Sequence, residues 1–355
     1  MFHIKHTNDI TSQKEIERVF AINEEVLEKI KKKVENKTMD INFQLDDGRS
    51  GLIIACNLNN FEYVKYFVER GINVNLKDNE FKNSALLVSI CHGNLEITKY
   101  LIENGADINS KNNIGDTALH FACMEGHFET VKYLHEKGMD LNEKNMENNC
   151  AIIFAVGNGH YEIVKYLIEN NVDLDVKNAQ NMHLIFSAIR NQEFDTIELL
   201  LKSNKNLVNI WDENWGTPLI EAIKLLSHNT NLRQRNTIFK SNISDINKEK
   251  IYQSVILNKL YIVKLLIEHG ADTNRVDFLN YSPLFHAILI DNYELVELLI
   301  DNNADVNYRK RLPRWFYFDE IQYGDSILAE AYKYPNYDII NLLKSKNAIY
   351  AKEVY

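Results

Sequence analysis

The side chains most able to do chemistry in this chain are its histidines and its four cysteines, Cys56, Cys91, Cys123 and Cys150. Thiolates and imidazoles are zinc ligands, but a structural zinc site needs them clustered, and no C-x-x-C pair occurs. Neither a Gly-rich phosphate loop, a G-x-S-x-G elbow nor an H-E-x-x-H helix is present. Asp319 and Glu320 are the acids most worth watching, yet adjacent positions need not face one substrate. The residues thus point away from an enzyme, and no cofactor or metal is expected. What they do show is recurrence, since the cysteines return at steps of 35, 32 and 27 residues, about once per repeating unit.

The element behind that recurrence is clearest in GDTALHFACMEGHFETVKYLHEKGMDLN, residues 115–142. Thr117 suits the N-cap of a short helix whose Ala118, Leu119, Phe121, Ala122 and Cys123 form an almost wholly buried strip. Gly126 and His127 interrupt it. A second helix is predicted from about Phe128, with Val131, Tyr133 and Leu134 packed, ended by Gly138 in a left-handed conformation. Helices this short do not persist alone in water, so the unit needs neighbours. Counterparts of Thr117 stand at Ser50, Ser84, Cys150, His183, Thr217, Glu249, Ser282 and Ser326. The steps are 34, 33, 33, 33, 34, 32, 33 and 44 residues, and a period near 33 predicts a solenoid.

The unit resembles the ankyrin repeat, G-x-T-P-L-H-x-A-A-x-x-G-H-x-x-x-V-x-x-L-L-x-x-G-A-D-x-N, over nearly the whole chain. Gly115, Thr117, Leu119, His120, Ala122, Gly126, His127, Val131, Leu134, Gly138, Asp140 and Asn142 match it. The resemblance implies an all-α solenoid of helix-turn-helix units joined by β-hairpins, about ten in number. It implies that Thr117 and His120 share hydrogen bonds and that His127 and His160 are structural turn residues. In this register Cys56 and Cys123 take the second Ala position, Cys150 the Thr position, and Cys91 lies two residues before the turn, so all four read as buried thiols. Asn replaces the turn glycine at Asn148, Asn171, Asn181 and Asn204, as the residue next best suited to a left-handed turn.

Along the chain, residues 1–44 read as a degenerate N-terminal capping repeat, with a helical period from Thr11 to Val34. Residues 45–226 are repeats. Residues 227–250 break the pattern with a polar, Asn-rich stretch carrying five basic residues against two acids, and Glu249 then restarts the register for repeats over 251–307. Residues 308–325 extend a hairpin with Arg309, Lys310, Arg311, Arg314 and the aromatics Trp315, Phe316, Tyr317 and Phe318. Residues 326–355 form the C-terminal capping repeat.

A net charge of −10 argues against a general nucleic-acid binder, and no run reaches the roughly 20 apolar residues that span a bilayer. The reduced thiols and the absence of a secretory signal predict a cytoplasmic location, and the chain is expected to be monomeric. Ankyrin stacks imply a concave groove lined by hairpin tips and first helices, gripping a protein partner. The expected contact residues are Asp46, Asp47, Arg49, Ile114, Asp116, Met124, Glu125, Met146, Glu147, Met182, Arg190, Phe278 and Tyr281, joined by Trp315 and Phe316 if the aromatic finger is exposed. Asn83 and Asn149 fall on the same exposed hairpin positions. Ile114, Met124, Met146 and Met182 would make an apolar line. An adaptor or scaffold is the first reading; a host-directed effector acting in a host cytoplasm through 227–250 or 308–325 is the alternative, and an enzyme with a site in those two segments is the third.

Overall fold

Five of the repeats begin where a short polar side chain closes the first turn of a helix. Ser50 Oγ accepts from Ile53 N at 3.3 Å, Ser84 from Leu87 at 3.4 Å, Thr217 from Ile220 at 3.3 Å, Ser282 from Phe285 at 3.2 Å and Ser326 from Ala329 at 3.2 Å. These are the Thr117 counterparts, and each satisfies a backbone N–H that a helix start leaves open. The computed structural model describes residues 13–227, 259–311, 323–334 and 336–351. It is an all-α ankyrin-type architecture in two units, Met1–Asp173 and Leu174–Tyr355.

The first unit opens with α1 (Gln13–Glu35), a single 23-residue helix. Helix pairs follow: α2 (Gly51–Asn57) with α3 (Phe61–Glu69), α4 (Ala85–Cys91) with α5 (Leu95–Glu103), α6 (Ala118–Glu125) with α7 (Phe128–Glu136), and α8 (Ala151–Gly157) with α9 (Tyr161–Glu169). The first helix of each pair is buried on nearly every side, as Leu52 to Cys56 and Ala118 to Cys123 are. The second buries only a stripe, such as Val131 and Leu134. Each fully buried Leu or Ile contributes roughly 1.5–3 kcal/mol, so most of the stability comes from the first helices. Tyr133, expected in the stripe, is half-exposed, and the Lys99 ammonium covers its ring at 5.2 Å.

The hairpins between pairs close by single antiparallel bridges, Gln44 to Ser50, Lys77 to Ser84 and Lys144 to Cys150. Their tips are tied together by backbone bonds: Asn79 N donates to Asp47 O at 2.9 Å, Asn113 N to Phe81 O at 2.8 Å and Met146 N to Ile114 O at 3.0 Å. A row of tips is therefore one hydrogen-bonded ledge.

The second unit contains α10 (Leu184–Asn191), α11 (Phe194–Ser203), α12 (Pro218–Ser227), α13 (259–268), α14 (Pro283–Ile290), α15 (Tyr293–Asp301), α16 (Ile327–Ala331) and α17 (Tyr337–Ser345). Asn148, Asn171 and Asn181 hold the positive φ predicted for them. Asn204 does not: its φ is −143°, and its side chain caps a 3₁₀ turn, Lys205–Asn209, that absorbs the single-residue insertion there.

The register through Glu249 is also corrected. A hairpin asparagine normally accepts from a backbone N–H one repeat on, as Asn42 does from Asn73, Asn75 from Asp107 and Asn274 from Asp305. Asn209 instead accepts from Asp272, 63 residues away, and Trp211 Nε1 donates to Val276 O at 3.2 Å, 65 residues away. Helix α13 is thus the second helix of the repeat begun by α12; Lys259 Nζ donates to Leu225 O at 2.6 Å, tying the two. The repeat start expected at Glu249 therefore falls, in the chain, between the two helices of one repeat, and Glu249, with the rest of 228–258, lies outside the described residues. In the last hairpin β1 (Arg309–Arg311) pairs antiparallel with β2 (Tyr323–Ser326), a longer base than the single bridges elsewhere.

Candidate binding surface

The histidines and cysteines resolve as packing chemistry. His120 is buried; its Nδ1 accepts from Thr117 N at 3.2 Å and Thr117 Oγ1 at 2.8 Å, and its Nε2 donates to Asn149 O at 3.1 Å in the next hairpin. Burial holds its pKa below the ordinary value, against the opposing pull of Asp116, so the ring is neutral at pH 7. His127 and His160 reach back one repeat, donating Nε2 to Cys91 O at 3.3 Å and Met124 O at 3.0 Å. Their rings lie over Gly93 and Gly126, where an added Cβ would come within 2.4 and 2.5 Å of the imidazole. Glycine and histidine of the G-H turn therefore serve two different neighbours. Cys56, Cys123 and Cys150 are buried, and burial pushes the Cys56 and Cys123 thiols up. Cys91 departs from expectation: it is half-exposed at the end of α4. Among the described residues no three His, Cys, Asp or Glu side chains are grouped to hold a metal ion.

In the first unit the hairpin ledge carries Asp46, Asp47 and Glu147 exposed, with Arg49 half-buried and paired to Asp47 at 2.8 Å. Ile114 is 41% exposed and Met146 78% exposed, and the Met146 side chain covers Gly115. Half-exposed Phe81 continues this apolar run toward the earlier repeat. Met124 and Glu125 lie at the end of α6, both half-buried. Asp116 is a correction: it is 2% exposed, and Asn145 Nδ2 donates to its Oδ1 at 2.7 Å. Asn83 and Asn149, at the equivalent position, are buried as well. The residue before the cap tucks under the following hairpin instead of facing a partner.

A groove of about 260 Å³ opens where the ledge meets the first helices, lined by Asn23, Asp47, Arg49, Ile53, Asn57, Asp78, Glu80, Phe81, Asn83 and Val88.

In the second unit the inner face is charged. Arg190 is half-buried, its Nε 2.6 Å from Glu221 Oε1 and its guanidinium 3.8 Å over the Trp215 ring, so it is already engaged within the fold. Asp277 is buried and holds His286 Nε2 at 2.9 Å and Lys224 Nζ at 3.3 Å. Burial alone would raise its pKa; the His286 bond, the Tyr281 N–H and Lys224 outweigh that and hold it below the usual carboxylate range. Sequence reasoning missed these pairs. Their signal was Glu221 and His286 in a position that Ile54, Val88 and Phe121 fill elsewhere. Tyr281 is likewise occupied, packed on Phe285 at 4.9 Å and capped by Lys310 Nζ at 3.9 Å. Phe278, Leu279 and Trp211 remain exposed, and Met182 is half-buried. The basic segment 227–250 beyond Ser227, and Arg314, Trp315, Phe316, Tyr317, Phe318, Asp319 and Glu320, lie outside the described residues.

Among the described residues no helix is long and apolar enough to cross a membrane. A search of curated proteins finds no match to the sequence. A family model described as ankyrin repeats (3 copies) matches residues 19–112, 108–178, 225–310 and 255–353, and a second, ankyrin repeats (many copies), matches 158–201. Together with the capped helix pairs and tied hairpins, these matches place the chain in the ankyrin-repeat family.

Proposed function

We propose that the chain is a non-catalytic adaptor or scaffold that holds one protein partner on the hairpin ledge and groove of its first unit. Ankyrin repeats are generally protein–protein interaction modules. The observation that carries this reading is the run Phe81, Ile114, Met146: apolar side chains on a backbone ladder, Ile114 and Met146 exposed and Phe81 half-exposed. Solubility alone would put small charged residues at these tips, and methionine and aromatic side chains are those enriched where proteins bind. A standard epitope of roughly 800 Å² per partner would cover several repeats. Four cysteine thiols support a reducing compartment such as the cytoplasm.

The test is an affinity pull-down from lysate with the intact chain and with an Ile114→Asp/Met146→Asp variant. A protein retained by the first and lost by the second supports the ledge; equal retention by both sinks it.

A further inference from the structure

The first-unit groove holds a polar group that the fold leaves unanswered. Asn83 is 3% exposed, lines the groove, and its Oδ1 has no hydrogen-bond partner among the described residues. The next repeat is an internal comparison: there Asp116 occupies the same position, and Asn145 donates to it at 2.7 Å. Asn112, the counterpart of Asn145, turns its Nδ2 to Asp116 in its own hairpin at 3.4 Å, so Asn83 receives nothing from it. A buried acceptor without a donor carries an uncompensated desolvation cost, which a ligand N–H would recover.

The walls define that ligand. Asp47, Asp78 and Glu80 line the groove against one cation, Arg49, which is already spent on Asp47 and on Asn23 Oδ1 at 3.3 Å. No lysine or arginine among the described residues pairs with Asp78 or Glu80. Ile53, Val88 and Phe81 supply apolar surface between the acceptors. At about 260 Å³ the space is smaller than the roughly 300–1,000 Å³ of small-molecule sites and suits one long side chain. Resting on the protein-binding reading above, we infer that this groove receives a basic side chain of the bound partner, arginine being the best fit. A guanidinium offers five donors in one plane for Asn83 Oδ1 and the carboxylates, and its methylene stem suits the apolar walls.

The ledge fixes what accompanies that arginine. Phe81 at the groove mouth is tied to Asn113, beside Ile114, and Ile114 to Met146. One repeat step is about 10 Å, or about three residues of extended chain at roughly 3.3 Å each. The partner segment therefore carries an arginine followed or preceded, at about three-residue intervals, by two apolar residues.

The experiment is selection of a phage-displayed random 12-residue peptide library on the intact chain, then fluorescence anisotropy of the enriched peptides. The variants are Glu80→Lys, which is exposed and leaves the core intact, and Ile114→Asp/Met146→Asp, each checked by circular dichroism. The inference expects peptides with arginine in that spacing, and about tenfold weaker binding or more from arginine to alanine in the peptide or from Glu80→Lys in the protein. Enriched peptides without a basic residue, lost only on Ile114→Asp/Met146→Asp, overturn the basic-side-chain inference and leave the ledge standing. A library that enriches nothing overturns both.

Discussion

At the scale of single residues, the consensus histidine is a structural bridge with a measurable pH signature. His120 joins the cap of its own helix to Asn149 O in the next hairpin, so His120→Ala should cost about 1–3 kcal/mol in urea unfolding through the acceptor and donors it strands. The folded state keeps the ring neutral, with its pKa below the ordinary 6.5, while the unfolded chain protonates near 6.5. Its stabilising contribution is therefore complete above pH 6.5 and lost as pH falls from there toward the folded value. Wild type should lose more stability than His120→Asn between pH 7.5 and 5, and parallel losses would contradict the assignment. Two glycines make a matched pair. Gly126 and Gly138 have φ of 81° and 89°, yet an added Cβ meets His160 at 2.5 Å in the first case and nothing within 4 Å in the second. Left-handed backbone alone costs roughly 1–2 kcal/mol, so Gly138→Ala should fall there and Gly126→Ala should cost clearly more. Equal losses would deny the ring's place over Gly126. These roles follow from the match to the repeat; Asp116 did not, because its burial depends on Asn145, 29 residues on, and no local pattern states that contact.

At the scale of elements, the buried first helices carry the stability. Leu119 is fully enclosed in α6, so Leu119→Ala should cost about 2–5 kcal/mol, and a loss under about 1 kcal/mol would mean the helix register is wrong. The caps made this legible, since Ser50, Ser84, Thr217, Ser282 and Ser326 can each be picked out by chemistry as well as spacing. The register beyond Thr217 was illegible for a physical reason. Residues 228–258 number 31, nearly one period, so spacing alone cannot tell an insertion within a repeat from an added repeat. Only the pairing of Asn209 with Asp272 and Trp211 with Val276 decides it. Replacing 228–258 with a short Gly-Asn turn should consequently leave the second unit cooperatively folded, with a melting temperature within a few degrees of wild type. Collapse of that unit would restore a separate repeat at Glu249.

At the scale of the whole molecule, a repeat protein separates what holds it together from what it offers. Buried helices and tied hairpins specify the backbone, and the tip side chains are left to vary with function. The apolar tips Ile114 and Met146 were legible as outward-facing from register alone, whereas the engagement of Arg190 by Glu221 and of Tyr281 by Lys310 needed three dimensions. The proposed seat of a partner is the ledge and groove of the first unit. The most direct measurement is hydrogen–deuterium exchange of the intact chain with and without the protein it captures. New protection is expected at 78–83, 112–116 and 145–149. Protection confined to the second helices of the repeats, with those hairpins unchanged, would contradict that placement.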